Sequence, residues 1–455
     1  MKLVSLYNFY CFTVAIVFLL STNSFSQNDT VKKEKRFTLH IQETTVSQYR
    51  PEFSAQYTGA HSQVSENEWG TTITSTIFAG VRLWKYGHFI INPEIAGGHG
   101  LSKAFGIAAF SNGEAFRVGN PDPTFYVARC FFRQLIPLNK KREWQDDGEN
   151  KLQQLIPENY FALTLGKVSI ADYFDDNSFS HNPRTQFLSW GLMSNGAWDY
   201  PANTRGYTPS AIIEYISPKF EVRYAISMMP ATANGNIMDN NIGKANANSF
   251  EVKYKYYVKG LQGKISAIVF YNTGYMGSYT SVNNYKTYIK DFPPYIDSTS
   301  YSIENSRQYG RSKYGFGINI EQNITNDIGV FARASYNDGK NETWCFTEID
   351  RAFSFGTAIT GTKWKRKSDV FGLAYCLSGL SSEHIDYLSK GGLGFILGDG
   401  KLNYRNEHLI ETYYSASLFN GKIIPSLAYQ FIVNPAYNKD RGPISIYSIR
   451  LHFRI

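Results

Sequence analysis

Apolar and polar residues alternate along this chain with a period of two, most plainly in its last nine positions. Tyr447, Ile449, Leu451, Phe453 and Ile455 are apolar, and Ser448, Arg450, His452 and Arg454 lie between them. Successive side chains of a strand face opposite ways, so such a segment has one apolar and one polar face. The pattern recurs. Ile73, Ile77, Val81 and Leu83 alternate with Thr74, Thr76 and Arg82; Tyr126, Ala128, Cys130 and Phe132 alternate with Arg129 and Arg133. Phe220 to Met228, Phe250 to Val258, Ile265 to Tyr271, Ile328 to Tyr336 and Ile423 to Val433 do the same, with Glu221, Arg223, Glu251, Lys253, Arg333 and Gln430 on the polar side. A soluble sandwich rarely sets charges opposite its core on strand after strand. A transmembrane β-barrel does so as a rule, with lipid outside and water inside.

Turn signals and lengths extend this reading. Lys259 to Lys264, with Gly260 and Gly263, between two alternating runs reads as the turn of a tight hairpin. Short turns alternate with long polar stretches, among them 139–158, 231–248 and 272–312, as expected of periplasmic turns and outer loops. At roughly 25 residues per strand and connection, the chain gives about 16 strands, with 18 as the alternative. The expected fold is all-β: one antiparallel transmembrane barrel over 37–455, with an inward-folded loop.

The N-terminus suits export. Lys2 precedes an apolar run from Cys11 to Leu20, and Ser24-Phe25-Ser26 before Gln27 fits a signal-peptidase site. Residues 1–26 are expected to be a signal peptide and 27–36 a flexible lead. Cleavage leaves Cys130, Cys345 and Cys376, an odd count with wide spacing that argues against a disulfide framework or a zinc site. Aromatic residues reach 16% and charged residues only 18%, which suits a lipid-facing belt with aromatic girdles. The formal charge is +8. The cations are spread along strands, not clustered, so nucleic acid is not an expected partner.

The stretch Gly166–Tyr207 breaks the alternation. It gathers Asp172, Asp175, Asp176, Asn177, His181, Arg184, Trp198, Asp199, Tyr200 and Arg205. Three readings stay open: an ion-paired loop without ligand contact, a loop that narrows the pore, or a catalytic or calcium site. The last is weakened because the Asp-x-Asp-x-Asp-Gly loop is missing. Gly97-Gly98-His99-Gly100 lacks the Lys and Ser/Thr of a phosphate loop and reads as a barrel turn.

Several segments together resemble the carbohydrate-selective porins of Gram-negative outer membranes (OprB type). They are Gln56 to Gly59, Gly80 to Lys85, Asn92 to Glu94, Asn112 to Glu114, Arg117 to Gly119, Ala128 to Gln134 and Leu165 to Lys167. Asp172 to Phe187, Asn195 to Tyr207, Gly398 to Tyr404, Glu411 to Tyr414 and Asn434 to Pro443 follow in order; about 272–365 matches nothing of that kind. The resemblance implies passive diffusion of sugars and other small hydrophilic solutes, without cofactor, metal or catalysis. It also implies outer-membrane lipid and the barrel assembly machinery as partners. Parity or resemblance makes Arg82, Glu94, Arg117, Arg129 and Arg133 further pore-lining candidates beside the 172–205 set. Trp84 reads as a girdle residue. The alternatives are a general or anion-preferring porin, suggested by the net charge, a barrel enzyme, and a plugged structural barrel.

Overall fold

The computed structural model describes residues 33–115, 121–288 and 301–455. The expected signal peptide and Arg117 lie outside the described residues. The chain forms β1 (Phe37–Arg50), β2 (Glu68–Trp84), β3 (Gly87–Gly98), β4 (Thr124–Pro137), β5 (Arg142–Gln145), β6 (Gln154–Pro157), β7 (Tyr160–Val168), β8 (Thr208–Ile216) and β9 (Phe220–Met228). It continues with β10 (Asn246–Val258), β11 (Leu261–Met276), β12 (Gln308–Asn323), β13 (Ile328–Asn337), β14 (Arg351–Gly361), β15 (Arg366–Gly379), β16 (Glu407–Ser415), β17 (Ile423–Val433) and β18 (Ile444–Arg454). Sixteen of these close into one antiparallel barrel, β1 pairing with both β2 and β18, while β5 and β6 pair only with each other. Closure leaves the barrel sheet without an edge, the condition for strands in hydrocarbon.

Parity sorts the wall as expected on most strands. On β18, Tyr447 and Ile449 are exposed, while Ser448, Arg450 and His452 are buried inside. Outward aromatics pair across strands near both rims, as in Tyr49–Trp69 at 4.7 Å and Phe220–Tyr254 at 4.9 Å. The expected hairpin is present, but its turn is only Lys259-Gly260, with positive φ at both positions, and Leu261 to Lys264, expected in the turn, already pair in β11.

On β4 the alternation fails. Arg129 pairs with Asn92 but Val127 with Pro93, so Ala128 is an extra residue in a bulge. Pro93 has no N–H for the ladder, and bulges are where a sheet accepts proline. Past the bulge the faces exchange. Tyr126, expected outside with Cys130 and Phe132, turns inward and donates its hydroxyl to Glu94.

Eight connections lie at one end, among them 51–67, 169–207, 338–350, 380–406 and 434–443, and most are long. The other end has short turns, with one exception. The stretch 139–158, expected among the outer loops, lies with the short turns and carries β5 and β6. Of the expected flexible lead, residues 33–36 are described, and they bond to this hairpin and to β2.

The interior is not uniformly wet. Inward Phe331, Ala374, Cys376, Leu409, Ile432, Ile444 and Ile446 pack on Ile107, Ala109, Phe187 and Leu192 from connections folded into the barrel. Gly98 lets the chain leave β3 for this interior. Its φ is +87°, and a Cβ there would lie 2.0 Å from the Thr71 carbonyl oxygen. Further out, His384 on α1 (Ser382–Ser389) sits 3.1 Å from Asp350 and 3.7 Å from Glu348, stacked on Tyr279. Lys313 is 3.7 Å from the same Asp350. Burial alone would lower the His384 imidazole, but Asp350 and Glu348 hold it above the ordinary value.

Two outcomes follow. Phe453→Asp places a carboxylate on the lipid face directly opposite Glu43, at a cost of up to roughly 3 kcal/mol. The heat-modifiable folded band should diminish or vanish on unheated gels. For His384, a raised folded pKa means stabilisation that is complete below the unfolded value of about 6.5 and fades as pH rises through the folded value. Hydrogen exchange in 380–406 should therefore quicken on the alkaline side, and Asp350→Asn should flatten that dependence.

Candidate functional site

Half of the wall, mainly β3, β4 and β7 to β10, faces a cavity of about 770 Å³ instead of packed loop. The 169–207 connection lies across it. What holds that connection inside is a set of wall side chains aimed at its backbone. Glu251 accepts from the Asp175 N–H at 2.6 Å, Glu321 from Ser178 at 2.6 Å, and Glu411 from Leu188 at 2.5 Å and Ser189 at 3.0 Å. Arg333 donates to the carbonyls of Leu192 at 2.8 Å and Ser180 at 2.6 Å. Arg450 donates to Pro183 at 2.7 Å and Gln186 at 2.5 Å. A non-regular segment has no ladder to satisfy its amides and carbonyls, so charged wall groups do it.

Around the cavity the polar residues form a paired cluster. Arg184 donates from Nε to Glu114 at 3.1 Å, from Nη1 to Thr76 at 3.0 Å and from Nη2 to Glu94 at 3.2 Å. Glu94 also accepts from Tyr126 and, at 3.1 Å, from Tyr207. Arg129 grips Asp172 with two bonds, at 2.6 and 2.8 Å, and lies over the Tyr207 ring. The Arg205 guanidinium lies 4.1 Å from the Tyr126 ring centre. Arg133 pairs with Glu214, and Asp176 with Lys253 at 3.5 Å and Lys264 at 3.6 Å. Desolvation opposes ionisation of Asp176, but Lys253, His181, Lys264 and Arg223 outweigh it and hold its carboxyl well below the usual range. Among the described residues, the cavity is lined by eight carboxylates and eight Lys or Arg side chains, so its wall is formally neutral.

Of the residues expected to line the pore, Glu94, Arg129, Arg133, Asp172, Asp176, His181, Arg184, Tyr200 and Arg205 do face this cavity. Five do not. Arg82 pairs with Glu34 near the short-turn rim. Asp175 is fully buried between Arg333 and the Asn195 amide, and Asn177 caps the N–H groups of Phe179 and Ser180. Asp199 accepts from the amides of Trp344, Cys345 and Phe346. Trp198 is fully buried against Phe174 and Tyr200. Asp172, Asp175 and Asp176 each turn to a different cation, and no group of acids, histidines or cysteines placed to hold a metal occurs among the described residues. The expectation missed Trp190 and Tyr173, half-buried aromatics on the cavity wall, as well as Tyr207 and Glu214. Trp84 is on the outer face near the short-turn rim, bonded to Gln134.

A closed barrel with long connections at one end and a polar, ion-paired cavity within is a porin-type channel of the outer membrane. Residues 76–455 match the model of the carbohydrate-selective porin, OprB family, and the chain belongs to that family. Among solved structures, OprB of Pseudomonas putida at high pH is similar, with a TM-score of 0.65 and 14% identity over 92% of this chain and 94% of that one. The outer-membrane channel DcaP of Acinetobacter baumannii follows, with a TM-score of 0.50 and 8% identity over 92% of this chain and 97% of that one. No curated protein matches the chain at a significant level. The chain is an outer-membrane porin for passive, carbohydrate-preferring diffusion.

Arg184→Ala leaves Glu94 and Glu114 uncompensated in a buried place, a change worth roughly 3 kcal/mol or more. Thermal unfolding should shift down, and the reversal potential in a salt gradient should move toward cations. Trp198→Ala should cost about 3–5 kcal/mol in stability through its cavity while leaving sugar-induced block of the current unchanged.

Proposed function

We propose that sugars cross by exchanging hydration for the ion-paired cluster of Glu94, Arg129, Asp172, Arg184 and Arg205 at the 169–207 segment. The observation that carries this is the balance of eight acids and eight bases around one cavity. A neutral wall dense in donors and acceptors suits a neutral polyol, whereas an anion-preferring pore needs an excess of cations. The net +8 of the chain lies elsewhere. Each sugar hydroxyl can bond both to an arginine and to a carboxylate, with charge assistance. Tyr173 and Trp190 supply apolar contact for its C–H faces. Contacts of this kind stay weak enough for release, which conduction requires. Small hydrophilic solutes are the cargo, with membrane lipid and the barrel assembly machinery as the other partners. The mature chain from near Gln27 acts as one barrel domain without catalysis. The divergent pairing of Asp172, Asp175 and Asp176 supports that last point.

The test is sugar-induced block of ion current in planar bilayers. Asp172→Asn and Arg129→Gln should each weaken the block by about ten-fold, the worth of one charge-assisted bond. A wild-type block constant in both folded variants would remove the cluster from the translocation path.

A further inference from the structure

The β5–β6 connection is the long exception at the short-turn end, the end that faces the periplasm in such barrels. It folds inward. Asn150 accepts from Asn92 of β3 at 2.9 Å, Leu152 is buried with Ile90, and Gln154 lies 2.7 Å from His88. From outside it is braced by the N-terminal segment. Lys35 N–H bonds to the Gln153 carbonyl at 2.9 Å, and Asp147 takes Thr38 at 2.6 Å and Lys35 at 3.2 Å. The cavity reaches this hairpin: Glu143, Gln145, Glu149 and Lys151 all line it.

The charges here differ from those of the rest of the cavity. Each of the other six lining carboxylates is ion-paired: Glu94 and Glu114 with Arg184, Asp172 with Arg129, Asp176 with Lys253, Glu214 with Arg133 and Glu221 with Lys255. Glu143 and Glu149 have no cation within 4 Å and no side-chain hydrogen bond among the described residues, and both are exposed; Lys151 beside them is likewise unpaired, so the hairpin's share of the lining is two acids against one base, and the remainder is six acids against seven bases. An unpaired charge at a polar mouth acts on a passing ion, whereas a paired one is already neutralised.

We propose that this hairpin is a second selectivity filter on the periplasmic side, in which the excess of Glu143 and Glu149 over Lys151 disfavours anionic sugars that the ion-paired cluster at 169–207 does not reject. The inference rests on the reading of the cavity as the solute path. It assigns discrimination between neutral sugars and sugar acids to a part of the chain separate from hydroxyl recognition. The field of these groups extends about 8–10 Å at ordinary ionic strength and shrinks in high salt.

The experiment uses the full-length protein in planar bilayers and liposomes, with glucose and glucuronate as probes. Glu143→Gln with Glu149→Gln should move the reversal potential toward chloride. It should also raise glucuronate permeation relative to glucose by about five-fold, the factor for one unit charge near 4 Å in water. The rise should fade at about 1 M salt. Replacing residues 143–156 by an Asn-Gly turn, in protein shown to be heat-modifiable, should raise single-channel conductance and admit glucuronate at least as freely. If the double Gln variant keeps both the wild-type reversal potential and the wild-type glucuronate-to-glucose ratio, the filter is overturned, whatever the deletion does. Failure of the Asp172→Asn sugar-block test beside a positive result here would overturn the sugar cluster and leave the filter standing.

Discussion

The structure depends on carboxylates of the barrel wall that accept backbone N–H groups of the connections folded inside it. Glu407 takes the amides of Ala108, Ala109 and Ala436, Glu411 those of Leu188 and Ser189, and Glu251 that of Asp175. Glu348 does the same for Ile396 and Leu397 from one connection to another. These segments have little regular structure, and their amides would otherwise be buried without partners, at about 1–3 kcal/mol each. Wall arginines complete the arrangement from the opposite polarity, Arg333 and Arg450 supplying donors to carbonyls. An inward-folded loop thus becomes as fixed as a strand.

The division of the lumen follows from this tethering. Strands near β15 to β18 hold packed connections, and their inward apolar residues form a dry core with Ile107, Phe187 and Leu192. What remains open is displaced toward β3, β4 and β7 to β10. There the same polar side chains find one another in place of loop amides. A rigid wall of ion-paired charge offers many hydrogen bonds with little net field, and the unpaired Glu143, Glu149 and Lys151 are set apart at the periplasmic mouth. The outer connections are knitted by buried charges too, with His384 between Asp350 and Glu348.

Much of this was legible from residues alone. Parity along β18, β9, β10 and β13 correctly separated lipid-facing from inward residues, and the strand estimate of sixteen holds. The break in alternation after Gly166 correctly marked an inward loop. The site within it was legible only in part. Asp172, Arg184 and Arg205 face the cavity, but Asp175, Asn177, Trp198 and Asp199 brace the loop itself. A polar residue in an inward loop meets either solute or backbone, and nothing in its type or spacing tells which.

The sequence by itself determined the amphipathic strands, their antiparallel closure and the membrane setting, because alternation is a local property and a one-residue slip would turn every side chain to the wrong face. Tertiary structure decided the rest. The bulge opposite Pro93 reversed Tyr126, the 139–158 hairpin entered from the short-turn end, and the charges sorted into compensated and free. Each of these depends on which groups from distant strands meet in space, with Glu94 taking Arg184 from the loop and Tyr126 from the next strand. Pairing across such separations is fixed by the barrel's register and by the competition among neighbours for each buried charge, and no single stretch of chain carries that information.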